Sequence, residues 1–242
     1  MDTSNIVTLK NVFKIYGHVT ALKNISFDIN KGDFISIFGA NGAGKSTLLK
    51  ILSNQTRPTK GEIFYSSIPA KKLQDSYRKK FGVISHQPFV YENLSALENL
   101  IFYGNLYGVK KAEKRAIELL KRVDLYSRRN DLIRTFSRGM LQRVSIARAL
   151  VHNPEMIFLD EPYTGLDSVA SLSLTNILKE QLEGNKTILM VTHDLKIGLG
   201  LSSKVIILNK GQIVYSENRS NINEASFEKL YLTYAGKNEV AV

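Results

Sequence analysis

The feature that most constrains this chain is a glycine-rich loop between an apolar run and a helical pattern. Residues 38–47 read Phe-Gly-Ala-Asn-Gly-Ala-Gly-Lys-Ser-Thr, which has the form G-x-x-x-x-G-K-[ST]. The apolar spacing predicts a buried strand over residues 33–38 and a helix over residues 46–53. A plain glycine turn between strand and helix is the alternative, but such a turn requires neither the lysine nor the serine. The sequence therefore predicts a phosphate-binding loop.

The residue types of the loop suit an anionic ligand. Gly39, Gly42 and Gly44 allow positive φ angles, so that backbone N–H groups can close around an anion. The N-terminus of the following helix adds free N–H groups and the positive end of its dipole. Lys45 can reach β- and γ-phosphates, and the Ser46 hydroxyl can bind Mg²⁺.

Composition and charge narrow the class of protein. The 242 residues suit one large domain or a domain with an inserted subdomain, and no apolar run reaches the roughly 18 residues of a membrane span. The chain has no cysteine and no visible signal peptide, which fits a cytosolic protein. Its net charge is +11, and residues 110–148 hold 12 Lys/Arg against 4 Asp/Glu. This excess indicates an acidic partner, anionic lipid or nucleic acid, or simply a solvated basic face.

The order of patterns predicts an α/β fold. Residues 6–16 and 21–30 read as an N-terminal antiparallel β-subdomain. Residues 33–38, 61–67, 81–85, 156–159, 187–192, 204–209 and 212–215 read as further strands. Residues 94–150 show only helical spacing and are interpreted as an inserted α-helical subdomain. Residues 1–93 and 151–242 then form the core, a mixed sheet flanked by helices of the P-loop NTPase kind. The last six residues are expected to be frayed.

Polar residues follow three of the predicted core strands. Asp160 and Glu161 come after one strand, Gln87 after another and His193 after a third. Ligands of α/β sheets bind outside the carboxyl ends of the strands. Asp160 is placed to hold Mg²⁺ through water, and Glu161 to orient or deprotonate a water molecule. A pair of acids in a surface turn is the alternative.

Single residues elsewhere in the sequence allow more than one interpretation. Tyr16 either stacks on an adenine ring or packs on its sheet. Ser137 begins the last helix of the insert, either as part of a second anion site or as an ordinary N-cap. The remaining histidines, His18, His86 and His152, are interpreted as structural.

Taken in order, these motifs resemble the nucleotide-binding subunit of ABC transporters over residues 6–216. The resemblance is carried by Tyr16, the loop 39–47, Gln87, the signature segment 136–140, Asp160, Glu161, the segment 164–167 and His193. It implies that ATP is bound by Tyr16, Asn41, Gly42, Gly44, Lys45, Ser46, Thr47, Ser137 and Gly139. It implies Mg²⁺ ligands at Ser46, Gln87 and Asp160, and catalytic roles for Glu161, His193, Lys45 and Gln87.

The signature segment departs from the family pattern. The usual Leu-Ser-Gly-Gly-Gln reads Phe-Ser-Arg-Gly-Met here, which keeps Ser137 and Gly139 but places Arg138 for a glycine and Met140 for a glutamine. Arg138 either adds a cation beside the phosphate or lies on the basic face. Together with Glu-Pro-Tyr-Thr-Gly-Leu-Asp at 161–167, the segment resembles exporter ATPases of the ABC-2 kind, and the ATPase of the haem exporter of cytochrome c maturation is similar.

The resemblance implies a head-to-tail dimer of like chains, in which each ATP lies between the Lys45 loop of one chain and the Ser137 and Gly139 loop of the other. It implies an integral membrane transporter subunit that docks near Gln87 and residues 89–91, a peripheral position on the inner face of the cell membrane, and export. No nucleic-acid partner is expected. An ABC ATPase that acts on DNA or ribosomes, and a regulatory subunit with little turnover, are the alternatives.

Overall fold

Ten strands and seven α-helices are described by a computed structural model over residues 5–85 and 87–235. The strands are β1 (Asn5–Tyr16), β2 (Val19–Asn30), β3 (Phe34–Phe38), β4 (Lys60–Tyr65), β5 (Ile68–Pro69), β6 (Phe81–Ile84), β7 (Met156–Asp160), β8 (Thr187–Val191), β9 (Lys204–Asn209) and β10 (Gln212–Asn218). The helices are α1 (Lys45–Leu52), α2 (Ala96–Tyr107), α3 (Ala112–Arg122), α4 (Arg138–Leu150), α5 (Ser168–Glu183), α6 (Leu195–Leu201) and α7 (Glu224–Tyr234).

The backbone divides into two compact units, Met1–Arg78 with Thr187–Val242, and Lys79–Lys186. The predicted helical insert over 94–150 lies inside the second unit, which is longer at both ends. The predicted strands are present with bounds that differ by a few residues. Two predictions, the structural role of His86 and the fraying of the last six residues, fall outside the described residues.

The first unit contains an antiparallel sheet in the order β2-β1-β4-β5. Its middle strand β1 pairs Val7 with Ile29 on one side and with Tyr65 on the other. Alternation of apolar side chains along β1 and β2 buries one face of the sheet, as the period of two predicts. This confirms the predicted N-terminal antiparallel β-subdomain.

The same unit contains the strands β10-β9-β3-β8 in neighbouring positions. Strand β3 runs parallel to both β8 and β9, whereas β9 and β10 form an antiparallel hairpin. All five residues of β3 are buried, which is typical of a parallel strand covered on both faces. Helix α7 closes the end of the sheet, where Phe227 packs on Phe38 with ring centroids 5.5 Å apart.

In the second unit, β6 and β7 pair in parallel, and helices α2, α3 and α4 pack on one another. Helix α2 begins at a capping box formed by Ser95 and Glu98, which fixes its first turn. The fully buried Asn99 accepts a hydrogen bond from Tyr91 N and donates to the carbonyls of Tyr91, Leu94 and Ser95. The segment before α2 is therefore held by side-chain hydrogen bonds.

None of the helices within 5–85 and 87–235 is long and apolar enough to cross a membrane.

Candidate active site

The glycine-rich loop joins the end of β3 to the start of α1, as predicted. Gly39 has a φ of 149°, and a Cβ atom there would lie 2.3 Å from the carbonyl oxygen of Leu208. Gly44 has a φ of 103°, and its Cβ would lie 2.5 Å from the carbonyl oxygen of Ala21. Both the backbone angles and the close neighbouring strands therefore require glycine at these two positions.

Lys45 lies at the point where the loop becomes helix. Its side chain is buried, and Nζ donates hydrogen bonds to the carbonyls of Gly39 at 2.7 Å and Ala40 at 3.1 Å. No side chain caps α1, and its first turn has no acidic residue. The first N–H groups of the helix, with the ammonium group beside them, form a cationic surface that suits phosphate oxygens.

The other predicted loop residues surround this point. Asn41 and Gly42 are exposed at the tip, whereas Ser46 and Thr47 are half-buried in the first turn of α1. The Ser46 hydroxyl is thus placed at the helix N-terminus, where the phosphate loop pattern puts a Mg²⁺ ligand.

His193 is exposed two residues after β8 ends. Since β8 is the parallel neighbour of β3, with Val191 opposite Ile37, the phosphate loop and His193 leave the same edge of the sheet. Asp194 caps α6 by accepting a hydrogen bond from Ile197 N at 2.8 Å, which fixes the turn that carries His193. The first unit therefore brings the loop and this histidine to one edge.

Tyr16 ends β1 with 47% of its surface exposed, and the Nζ atom of Lys14 lies 4.8 Å from its ring centroid. An exposed ring can still stack on a base, so the adenine contact stays a prediction.

The two acids of the second unit differ in their surroundings. Asp160 is the last residue of β7 and is 8% exposed, and its buried Oδ1 has no hydrogen-bond partner within the described residues. Glu161 has a positive φ of 51°, which is strained for a residue with a side chain. The roles of Asp160 as a metal ligand and of Glu161 as a base stay predictions.

Gln87 follows β6, the parallel neighbour of β7, at the same sheet edge as Asp160 and Glu161. Its side chain is exposed, and its backbone carbonyl accepts a hydrogen bond from the Ser85 hydroxyl at 3.0 Å. The pairing of β6 with β7 thus places Gln87 at the sheet edge that also carries the two acids.

The signature segment begins α4. Ser137 is the N-cap, and its hydroxyl accepts a hydrogen bond from Met140 N at 3.3 Å. Gly139 lies against the segment 164–167, where an added Cβ would approach Gly165 O to 3.1 Å. The Arg138 side chain crosses over Gly165, 3.4 Å from the position that a Cβ atom there would take. The glycines of the two segments thus allow close contact.

A cavity of about 80 Å³ in the second unit is lined by residues of α4, where the signature segment lies, and by the two acids at the end of β7. Arg138 lines it together with Asp160 and Glu161, so this arginine faces the acids of its own chain. Gln142 and Thr164 also line the cavity, and Gln142 donates a hydrogen bond to Pro162 O at 3.0 Å. Sequence reasoning missed Gln142, although it follows Arg138 by one helical turn and so shares its face.

The donor set fits a magnesium ion held mainly by phosphate. Among the described residues there is no cluster of three or more His, Cys, Asp or Glu side chains that could hold a metal. Mg²⁺ in phosphoryl-transfer sites takes one or two protein ligands and completes its shell with phosphate and water. In the second unit, the unsatisfied Oδ1 of Asp160 suits this role.

Comparison with known proteins agrees with these features. The family model described as ABC transporter matches residues 22–164. The ABC transporter ATP-binding protein MJ1508 of Methanocaldococcus jannaschii is 40% identical over 225 residues, which cover 88% of this chain and 100% of the relative. The phosphonates import ATP-binding protein PhnC of Fusobacterium nucleatum is 32% identical over 243 residues, which cover 94% of this chain and 98% of the relative.

A solved dimeric structure of the ATP-binding cassette MJ0796 of Methanocaldococcus jannaschii, bound to ADP and Pi in a post-hydrolysis state, has a TM-score of 0.83 at 34% identity. The match covers 90% of this chain and 100% of that chain. The predicted fold class, a P-loop NTPase core with an antiparallel β-subdomain and an inserted helical subdomain, is confirmed. The chain belongs to the ABC transporter family and is one of its ATP-binding, ATP-hydrolysing members.

Proposed function

We propose that this ATPase works as a head-to-tail pair that drives export through a separate integral membrane subunit. The observation that carries the proposal is that the chain holds two loops suited to phosphate, each at a helix N-terminus. One loop ends in Lys45 and Ser46, and the other begins at Ser137 and Gly139. A second copy that supplies the other loop completes each ATP site. The dimeric cassette MJ0796 is consistent with such a pair.

Within each site, positioning and charge neutralisation account for most of the catalysis of phosphoryl transfer. Lys45 meets the phosphate charge, and Glu161 accepts a proton from the attacking water molecule. His193 contacts the γ-phosphate from the neighbouring strand end. When bound to Ser46, Gln87 and Asp160, Mg²⁺ would neutralise further charge on the phosphates.

The membrane subunit is proposed to dock on an exposed aromatic cluster, defined here as Phe89, Tyr91, Phe102 and Tyr103. The exposed fractions are 45% for Phe89, 51% for Tyr91 and 41% for Phe102. The ring of Tyr91 lies 5.1 Å from that of Phe102 and 6.3 Å from that of Tyr103, centroid to centroid. Their exposure argues against ordinary core packing, and a contiguous exposed apolar surface is typical of an interaction site.

The position of this aromatic cluster suits signal transfer. Its first member, Phe89, follows Gln87 by two residues. A partner bound to the cluster would therefore contact the segment that carries a predicted Mg²⁺ ligand. Such docking would place the chain on the inner face of the cell membrane. Export is favoured by the resemblance of residues 136–140 and 161–167 to exporter ATPases, although relatives such as PhnC carry import in their names.

The central test is Glu161→Gln. We expect the variant to bind ATP, to lose hydrolysis by about 10²–10⁴-fold because the general base is absent, and to elute as a dimer with ATP and Mg²⁺ in size-exclusion chromatography. The exposed Glu183→Gln is the matched control and should hydrolyse ATP normally. A monomer with normal turnover in the Glu161 variant would contradict both the dimer and the role of the base.

The partner is tested by purifying the complex from membranes and reconstituting it in vesicles. Phe89→Ser with Tyr91→Ser should abolish assembly with the membrane subunit while ATP binding by the isolated chain persists. The side of the vesicle on which cargo accumulates decides between export and import. Assembly unaffected by the double substitution would exclude the aromatic cluster as the docking surface.

A further inference from the structure

An open groove of about 570 Å³ lies in the second unit and shares no residue with the candidate active site. Its volume falls within the range of roughly 300–1,000 Å³ that is common for small-molecule sites. One side of the groove is formed by α3, which contributes Lys111, Lys114, Arg115, Glu118 and Arg122. The lining from this helix therefore has four cations and one carboxylate.

The arginines of this groove have partners, whereas the lysines do not. Arg115 donates to Leu150 O at 3.3 Å and lies 3.7 Å from the Glu118 carboxylate, and Arg122 pairs with Glu180. Within residues 5–85 and 87–235, Lys111 and Lys114 form no ion pair and no side-chain hydrogen bond, and both are exposed. Two cations of the groove lining thus have no counter-charge within the described residues.

The two lysines also stand at the wrong end of a helix. Lys111 is the N-cap of α3, where it makes no side-chain capping bond, and Lys114 lies in the first turn. The helix dipole favours negative charge at this end, and Glu113 is the single acidic residue in the first turn. Residues that break a local rule without a compensating contact in the fold are expected at functional sites. An anion between the two lysines would supply the missing compensation.

His152 also lines the groove, although its unpaired Nδ1 is a buried atom. Its Nε2 donates a hydrogen bond to Phe81 O at 3.0 Å, while its buried Nδ1 has no partner among the described residues. Tyr107 stacks on the ring with centroids 3.9 Å apart. Burial lowers the pKa of His152 to about 4, so the imidazole is neutral near pH 7 and adds no positive charge to the lining.

We propose that this groove binds a phosphate-bearing ligand, with Lys111 and Lys114 as its principal contacts. Arg115 and Arg122 strengthen the positive potential of the lining. The phosphate belongs either to a free phosphorylated molecule or to a phospholipid head group, and the same lysines would contact both. The contrasting possibility is a solvated basic face that binds neither.

The test uses pyrophosphate as the soluble probe, measured by titration calorimetry. Lys45→Ala is the common background because it removes the lysine of the phosphate loop. Adding K111A and K114A should weaken pyrophosphate binding by about 25-fold, the product of about fivefold for each lysine near an anionic group. The control adds K60A and K229A, two exposed lysines of the first unit with the same loss of charge, and should stay within about threefold of the background.

Vesicles of phosphatidylcholine, with and without phosphatidylglycerol, distinguish the two sources of phosphate. If the groove variant alone loses binding to pyrophosphate, the ligand is a free phosphorylated molecule. If the groove variant alone loses binding to phosphatidylglycerol vesicles and keeps binding to pyrophosphate, the ligand is a lipid head group. Equal losses in the groove and control variants, or no binding by the background protein to either probe, would overturn the proposal. The single variant K114A, with an expected fivefold effect, serves if the double variant does not fold.

Discussion

Arg148 provides the sharpest test of how the second unit is held together. It lies in the last turns of α4 and is 7% exposed, and its Nη2 donates to Val83 O on β6 at 2.6 Å. Its guanidinium lies 5.6 Å from the ring centroid of Phe89 and 5.5 Å from that of Tyr103. The helix that begins at the signature segment is thereby tied to the segment that follows β6.

The stabilisation can be estimated from these contacts. A hydrogen bond from a charged donor contributes about 1.5–3 kcal/mol, and each cation–π contact at a partly exposed ring about 0.5–1 kcal/mol. Desolvation opposes these gains, because burial lowers the pKa of Arg148 below its usual value. We therefore expect Arg148→Met, which keeps most of the volume, to lower the free energy of unfolding by about 2–3 kcal/mol, or the melting temperature by about 4–12 °C.

The assay is thermal unfolding followed by circular dichroism, with Arg134→Met as the matched control. Arg134 is exposed in the same unit, so its substitution should change the unfolding free energy by less than about 0.5 kcal/mol. Arg148→Lys should recover only part of the loss, because an ammonium group lacks the planar fork. An Arg148→Met variant as stable as the wild type would refute the reasoning and show that desolvation cancels the contacts.

Three further predictions concern the phosphate loop and the half-buried His152. Lys45→Ala should abolish ATP binding in calorimetry, whereas Lys50→Ala, exposed on the same helix, should leave it unchanged; unaltered affinity in the first variant would remove the loop from the proposed site. Gly39→Ala should destabilise the fold by about 2–4 kcal/mol in urea unfolding, since its Cβ would lie 2.3 Å from a backbone oxygen; wild-type stability would contradict that clash. The folded pKa of His152 is lowered to about 4 by burial, so its contribution of about 1–3 kcal/mol is complete above pH 6.5 and is lost as the pH falls towards 4. His152→Gln should flatten this pH dependence of the urea midpoint, whereas the exposed His18→Gln should not; an unchanged slope in the first variant would exclude His152 as its source.

Sequence reasoning overlooked helices α5 and α6, for different physical reasons. Helix α6 has seven residues with Gly198 and Gly200 among them, a composition with poor helix propensity. It forms because Gly198 lets the helix approach the Phe38 ring, where an added Cβ would lie 2.4 Å away. Helix α5 leaves Val169 and Leu172 exposed, with fractions of 76% and 62%, which blurs the apolar period of its sequence.

The basic face shows a second limit of sequence reasoning. The charge count predicts an acidic partner or a solvated surface, and the two alternatives cannot be separated from the spacing of charges alone. The contacts of α3 show which cations already have partners, because Arg115 and Arg122 form ion pairs and Lys111 and Lys114 form none within the described residues. His152, interpreted from the sequence as structural, also lines the groove through the segment that follows α4.

By itself the sequence determined the phosphate loop, the buried strands and the polar residues that follow them, because each depends on local backbone geometry and short-range periodicity. Only the tertiary structure decided which strands are neighbours. The pairing of β3 with β8 brings His193 to the edge of the loop, and the pairing of β6 with β7 brings Gln87 to Asp160 and Glu161. Such pairings join residues far apart in the chain, so no local pattern can specify them.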